Sequence, residues 1–333
     1  MPRGEVEFEV APRGAYSLAR TSARFARHGD TVNVVDLEGF ARLVPIGRTH
    51  ALVQIAQHGS VARPKLSVRV SGAQGDAARA AAERVLERVV GAGVDLRPFE
   101  RALAGDPLLG DTLRAQRGLR VAGSYGLFEA LVGAVLTQQV NLAFAFSIRA
   151  ALVAAFGERA RIAGREWQAF PTAERVARES ESTLRAFRMT AAKAGTIARL
   201  ARALAEGALD EERLRALGDE EAIDELMRWK GVGRWTAEIA LLRGLGRLDV
   251  FPAGDLAVVK RLALRWLGRD QPASEREMRL FSERWRPYRS LALVYALEGL
   301  AASGSGSSRA TNTTSARPSE GHPERGRKRR RRA

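Results

Sequence analysis

One carboxylate at a fixed distance from a glycine hairpin is the arrangement in this chain with chemistry in it. The stretch from Leu226 to Asp255 reads LMRWKGVGRWTAEIALLRGLGRLDVFPAGD. Gly231 and Gly233 bracket Val232, and two glycines this close permit positive φ and a sharp reversal. The free N–H groups of such a hairpin, and of the helix that follows it, suit a phosphate of any sequence. Lys230, Gly231, Val232, Gly233, Arg234 and Thr236 are therefore candidate DNA-binding residues. A plain αα-hairpin with a glycine turn is the bland alternative. Asp255 follows Pro252-Ala253-Gly254 and precedes an apolar helical pattern, which places it at an expected helix N-cap. Most such residues only cap. An ionised carboxylate at the edge of a cleft can also orient water or stabilise a developing cation.

The elements that must position these groups follow from periodicity. Asp219 is a good N-cap for a first helix, with Glu220 and Glu221 in its first turn and an apolar face through Ile223, Leu226 and Met227. Trp235, Ala237, Ala240 and Leu241 resume helical spacing until Gly244 and Gly246. Residues 5 to 70 alternate at period two (Val6/Phe8/Val10, Val32/Val34, Leu43/Val44/Ile46, Leu52/Val53/Ile55, Leu66/Val68/Val70), which predicts about five antiparallel strands. Residues 76 to 91 switch to helical spacing, and 95 to 300 read helical throughout. The expected fold is α+β: an N-terminal α+β domain over 1–92, two all-α lobes around a cleft over 93–301, and a disordered basic tail over 302–333.

The hairpin segment resembles the helix-hairpin-helix DNA glycosylases, and most closely the DNA-3-methyladenine glycosylase II family. The matching residues are Gly231-Val232-Gly233-Arg234-Trp235-Thr236-Ala237, Asp249-Val250-Phe251-Pro252 and Asp255. Leu127-Phe128-Glu129 through Ala134-Val135-Leu136-Thr137-Gln138-Gln139-Val140 resembles the helix and turn that carry the family's DNA-inserting residue. Arg284-Trp285-Arg286-Pro287-Tyr288-Arg289-Ser290 resembles its last core helix. The likeness covers residues 95 to 300 well and 5 to 90 loosely. It implies that Asp255 is catalytic and that Trp235, Ile239, Phe128 and Leu297 line the pocket for a flipped base. It also implies that Gln138 and Gln139 enter the gap the base leaves. Ile239 and Leu297 stand where some relatives have Tyr and Trp, so the pocket is less aromatic. One branch has Leu at Gln139. Trp235 occupies the position where bifunctional relatives carry a nucleophilic Lys, so the implied enzyme is monofunctional, releasing alkylated purines such as 3-methyladenine without lyase activity. The backbone carbonyls of Lys230 and Val232 are the implied place for Na⁺ or K⁺, with no metal held by side chains and no other cofactor.

Composition narrows the classes further. The 333 residues carry 54 Lys and Arg against 38 Asp and Glu, a net charge of +16. Nine of those bases and two of those acids lie from residue 301 on, leaving the body basic in its own right. Such a chain suits a polyanion partner, here double-stranded DNA with damaged bases. Lysine and arginine from Arg327 to Arg332 form a basic arm that holds DNA non-specifically or is a solvated tail. There is no cysteine, which excludes disulfides, thiolate metal sites and the iron–sulfur cluster of a sister glycosylase branch. None of the four histidines lies near Asp255 in sequence, and zinc is not expected. The N-terminus lacks a signal-peptide apolar run, and no apolar stretch reaches membrane-spanning length. A cytoplasmic, nucleoid-associated monomer is the expectation. The competing readings are a non-catalytic damage-binding module, against which Asp255 argues, and a glycosylase for oxidised or deaminated bases. The lyase form of the latter is disfavoured by the lack of Lys at position 235.

Overall fold

A computed structural model of the chain describes residues 5 to 307, apart from Arg48 and Arg269. The five expected strands form one antiparallel sheet: β1 (Glu5–Val10), β2 (Asn33–Asp36), β3 (Gly39–Ile46), β4 (Thr49–Ser60) and β5 (Arg63–Ser71), in the order β1-β5-β4-β3-β2. The register pairs Val53 with Val70 and Phe40 with Ile55. Alternation therefore sends Phe40, Val44, Val53, Ile55, Val68 and Val70 to one face. There they pack on the helix Leu18–Arg27 and the helix Gly75–Arg84, which runs on through Val85–Val89 with the wider π-type turn. The helix Leu18–Arg27 has no counterpart in the sequence reading.

Two helical lobes complete the molecule, as the apolar spacings imply. One core gathers Leu131, Val135, Ile148, Ile197, Ile223, Leu226, Val232, Ala237 and Leu241. The other gathers Phe99, Leu113, Phe251, Val258, Trp266, Trp285 and Tyr295. The second lobe is thus discontinuous in sequence. Residues before about 120 return to pack with residues after about 250, and the first lobe is inserted between them.

Two expectations are corrected here. The region 95 to 300 is not helical throughout: β6 (Arg159–Ile162) and β7 (Arg165–Gln168) form a hairpin. Its Trp167 packs against Leu43 and Leu52 on the second face of the sheet, where aromatic burial outweighs the local helical reading. The last helix spans Arg289–Ser307, continuing six residues past the expected boundary at 301. The rest of the basic tail, including Arg327 to Arg332, lies outside the described residues.

The N-terminal domain is fastened to the first lobe by buried charge. Arg42 on β3 donates from Nη2 to Glu129 Oε2 at 2.6 Å. Arg149 reaches Glu129 Oε1 at 2.6 Å and Asp30 Oδ1 at 2.7 Å. All four side chains are under a tenth exposed. Burial alone pushes the carboxyls of Glu129 and Asp30 up, but Arg42 and Arg149 outweigh it at Glu129. Arg149 with hydrogen bonds from the Asn33 amide does the same at Asp30, and both carboxyls sit below their usual range.

Candidate active site

The hairpin forms as its sequence implies, with differences in detail. The first helix is Asp219–Met227, and its N-cap is Gly218, not Asp219. The Glu221 carboxylate accepts from the Gly218 N–H at 2.9 Å. Gly231 has φ +94°, and a Cβ there would lie 1.9 Å from Thr196 Oγ1, so both backbone and packing demand glycine. Gly233 is extended (φ −91°, ψ 173°) with open space around its Cα. Its glycine is therefore not needed for the turn; it leaves the backbone uncovered where the helix Arg234–Ala240 begins. Val232 anchors the turn in the core, and its N–H bonds the Trp229 carbonyl at 2.9 Å.

Asp255 sits half-buried beside the first turn of the second hairpin helix. Its Oδ1 accepts from the Ala257 N–H at 2.8 Å, and its carbonyl from the Val259 N–H at 2.9 Å. It therefore caps the turn leading into the helix Ala257–Leu262, as expected of an Asp at this place. Its Oδ2 is used differently: Trp235 Nε1 donates to it at 3.0 Å. One indole from the first turn of the hairpin helix thus fixes the carboxylate's second oxygen. The loop that carries Asp255 is itself held from two sides. Arg289 donates to the carboxylate and carbonyl of Asp249, and Ser290 Oγ bridges the N–H and carbonyl of Val250. Arg279 spans Glu238 Oε1 at 2.7 Å and the Phe251 carbonyl at 3.3 Å. The Arg284-to-Ser290 motif therefore belongs to the support of this loop, opening the helix Arg289–Ser307. The stretches Leu241–Leu245 and Ala257–Leu262 have π-type hydrogen bonding, and the second begins beside the carboxylate; such turns cluster at functional sites.

The turn after the helix Leu127–Thr137 lies against the hairpin. Gln139 is exposed and left-handed, with φ +54°. Holding a non-glycine residue there costs about 1–2 kcal/mol, and it projects the side chain away from the protein. Gln138 faces inward instead: its Nε2 donates to the Gly231 carbonyl at 3.1 Å and to Thr236 Oγ1 at 2.9 Å. Lys193, buried, donates to the carbonyls of Leu136 and Gln138 at 2.9 and 2.7 Å and closes the helix C-terminus.

Several sequence-predicted residues are placed otherwise than expected. Gln138 Nε2 donates to Thr236 Oγ1, so these two side chains bond each other beside the hairpin. Arg234 is spent on Glu220 and Glu238 at 2.6 and 3.1 Å. Phe128 packs on the far side of its helix, against Phe170, with ring centroids 6.2 Å apart. Leu297 joins the second lobe's core. Ile239 does line a cavity, shared with Thr137, Phe146, Arg24 and Arg243. Lys230 is exposed. Its carbonyl already accepts from Thr196 Oγ1 at 3.3 Å and Arg199 Nη2 at 3.1 Å. Among the described residues no group of three or more His, Asp or Glu is placed to hold a metal, and no helix is long and apolar enough to cross a membrane.

Lys193, Arg24, Arg243, Arg279 and Glu238 were not singled out by sequence reasoning. A buried Lys or Arg inside an amphipathic helix has the same residue type and spacing as a solvated one. Only its partners distinguish it.

The chain matches the model of the HhH-GPD superfamily base excision DNA repair protein over residues 132–287. It is 36% identical to a DNA-3-methyladenine glycosylase of Bacillus subtilis over 201 residues, which cover 60% of this chain and 66% of that protein. It is 34% identical to DNA-3-methyladenine glycosylase 2 of Escherichia coli over 188 residues, covering 56% of this chain and 62% of the relative. The chain thus spans just under two thirds of both relatives. A solved structure of a 3-methyladenine DNA-glycosylase from Archaeoglobus fulgidus superposes with a TM-score of 0.76 at 26% identity, covering 87% of this chain and 96% of that one.

Proposed function

We propose that this chain is a monofunctional DNA glycosylase that releases alkylated purines, 3-methyladenine among them, from double-stranded DNA and so starts base excision repair. The observation that carries the reading is the Asp255 carboxylate, partly exposed and held by Trp235 Nε1 and the Ala257 N–H. In this reading the uncovered backbone at Gly233 and the exposed Lys230 hold a phosphate, and Gln139 fills the gap left by the flipped nucleotide. Flipping costs a few kcal/mol. Cleavage of the C1′–N bond leaves its electron pair on the base and builds positive charge on the sugar. Asp255 stabilises that charge and accepts the proton of the water whose oxygen bonds to C1′. An alkylated purine already carries positive charge and leaves without a second acid. Trp235 orients the carboxylate and walls the site. An indole cannot form a Schiff base, so no strand cleavage accompanies base release. The protein acts as a monomer and without a cofactor.

The test is release of free bases from methylated duplex DNA, read by chromatography with mass detection, with Asp255→Asn alongside. Release by the wild type, and at least a hundredfold less by the variant with binding retained, supports the proposal. Binding of damaged DNA with no release by either would favour a damage-recognition module instead. Strand cleavage without added alkali would overturn the monofunctional assignment.

A further inference from the structure

We infer that Arg24, contributed by the N-terminal domain, is a specificity-determining residue that donates to an oxygen at C6 of the flipped purine. The inference rests on the proposed glycosylase function. The cavity lined by Ile239 lies between the helix Leu18–Arg27, the helix Leu127–Thr137 and the second hairpin helix. Ile239 is one turn beyond Trp235, which holds Asp255. Arg243 feels the charges of both Asp255 and Arg24. Arg24, Ile239 and Arg243 line the cavity, and the charge of Asp255 reaches it through Arg243.

The charges around it are unequally committed. Arg149 is bound by Asp30 and Glu129. Arg243 donates from Nη1 to the Ala122 carbonyl at 2.6 Å. Arg24 makes no hydrogen bond or ion pair among the described residues. The nearby acid Asp30 is taken by Arg149, and Glu298 by Arg27. Burial, then the neighbouring arginines Arg149 and Arg27 against the pull of Asp30, lowers the affinity of Arg24 for its proton. Burial and Arg24 push Arg243 down to about 9. A guanidinium has five donors and no acceptor role; Arg24 is partly exposed, and a ligand that displaces its water without replacing the hydrogen bonds leaves those donors unpaired at a cost. A ligand that brings an acceptor removes the cost. One that brings an amino group adds to it.

Purines differ in that respect at one position: guanine carries an acceptor oxygen at C6, adenine a donor amino group. The comparison that isolates Arg24 is 7-methylguanine against 3-methyladenine. Both are cationic while attached to the sugar, so repulsion by the arginines largely cancels between them and the C6 substituent remains. The preference comes from a domain outside the hairpin core.

Duplex DNA treated with a methylating agent contains both lesions, so one digest measures the ratio of their release. Wild type, Arg24→Leu and Arg24→Lys are compared on the same DNA, with release normalised to lesion content. The expected result is a fall of about tenfold in the 7-methylguanine to 3-methyladenine ratio for Arg24→Leu, with Arg24→Lys in between. A partly unfolded variant lowers both releases together and leaves the ratio untouched, so folding does not imitate the effect. An unchanged ratio overturns the inference while leaving the glycosylase reading intact. A parallel fall in both releases, with weaker binding of undamaged duplex, would assign Arg24 to the DNA backbone and also overturn it. Release of neither base by the wild type would remove the glycosylase reading and this inference with it.

Discussion

Replacing Trp235 with Phe removes one hydrogen atom's worth of chemistry and little else. The ring keeps most of its apolar body, but the N–H that donates to Asp255 Oδ2 at 3.0 Å is gone. Asp255 keeps its bond from the Ala257 N–H at 2.8 Å, so the carboxylate remains at the cleft but can rotate about its capped oxygen. A hydrogen bond to a charged group contributes about 1.5–3 kcal/mol. Asp255 is open to water on one side, which replaces part of that, and about 1–2 kcal/mol is the expected loss. At 1.36 kcal/mol per decade this is roughly a 5- to 30-fold fall in the rate of base release. The assay is single-turnover release from saturating methylated duplex, beside a separate titration of DNA binding. The expected split is a slower chemical step with half-saturation unchanged. A rate within twofold of wild type would refute the positioning role. An equal loss in binding and rate would mean that the indole serves as a wall for the base and not as a holder of the acid.

Other outcomes follow from the same geometry. Arg149→Met leaves Asp30 and Glu129 buried with less compensation, at a cost of about 3–5 kcal/mol; thermal unfolding should drop by roughly 10 °C, and a shift under 2 °C would contradict the buried network. Both carboxyls are depressed, so their stabilisation is present at neutral pH, above the ordinary values of 3.8 and 4.5, and is lost as pH falls through the lowered ones. Acid titration of the wild type should therefore unfold it only below that range, whereas Arg149→Met should unfold at higher pH. Lys193→Met frees the carbonyls of Leu136 and Gln138 and should reduce flipping, read with a fluorescent base analogue beside the lesion, by about tenfold; unchanged fluorescence would show that the Gln139 turn holds itself. Binding should weaken by about a decade or more per fourfold rise in salt if several phosphates are neutralised; a flat salt profile, measured by anisotropy, would count against the phosphate-holding hairpin.

Local patterning made the sheet, the hairpin and Asp255 legible in the sequence. Period-two alternation sorts β1 to β5, a glycine at φ +94° marks the turn at Gly231, and an Asp before an apolar helical run marks a cap; each is a short-range rule. What escaped depends on partners distant in sequence. Arg234 reads as a phosphate ligand beside the hairpin, but Glu220 and Glu238 take it. Lys230 and Val232 read as a carbonyl cage, but Arg199 arrives from another helix to bond the first of them. Phe128 and Leu297 read as pocket walls, and packing turns them into two different cores. By itself the sequence determined a helix-hairpin-helix followed by one N-capping aspartate, because those features are written in spacing. Tertiary structure alone decided that Trp235 holds that aspartate, that Gln138 ties the Gln139 turn to the hairpin, and that Arg24 stands uncommitted among the described residues at the cavity. A charged side chain's role is set by which groups, tens or hundreds of residues away, have already claimed its neighbours.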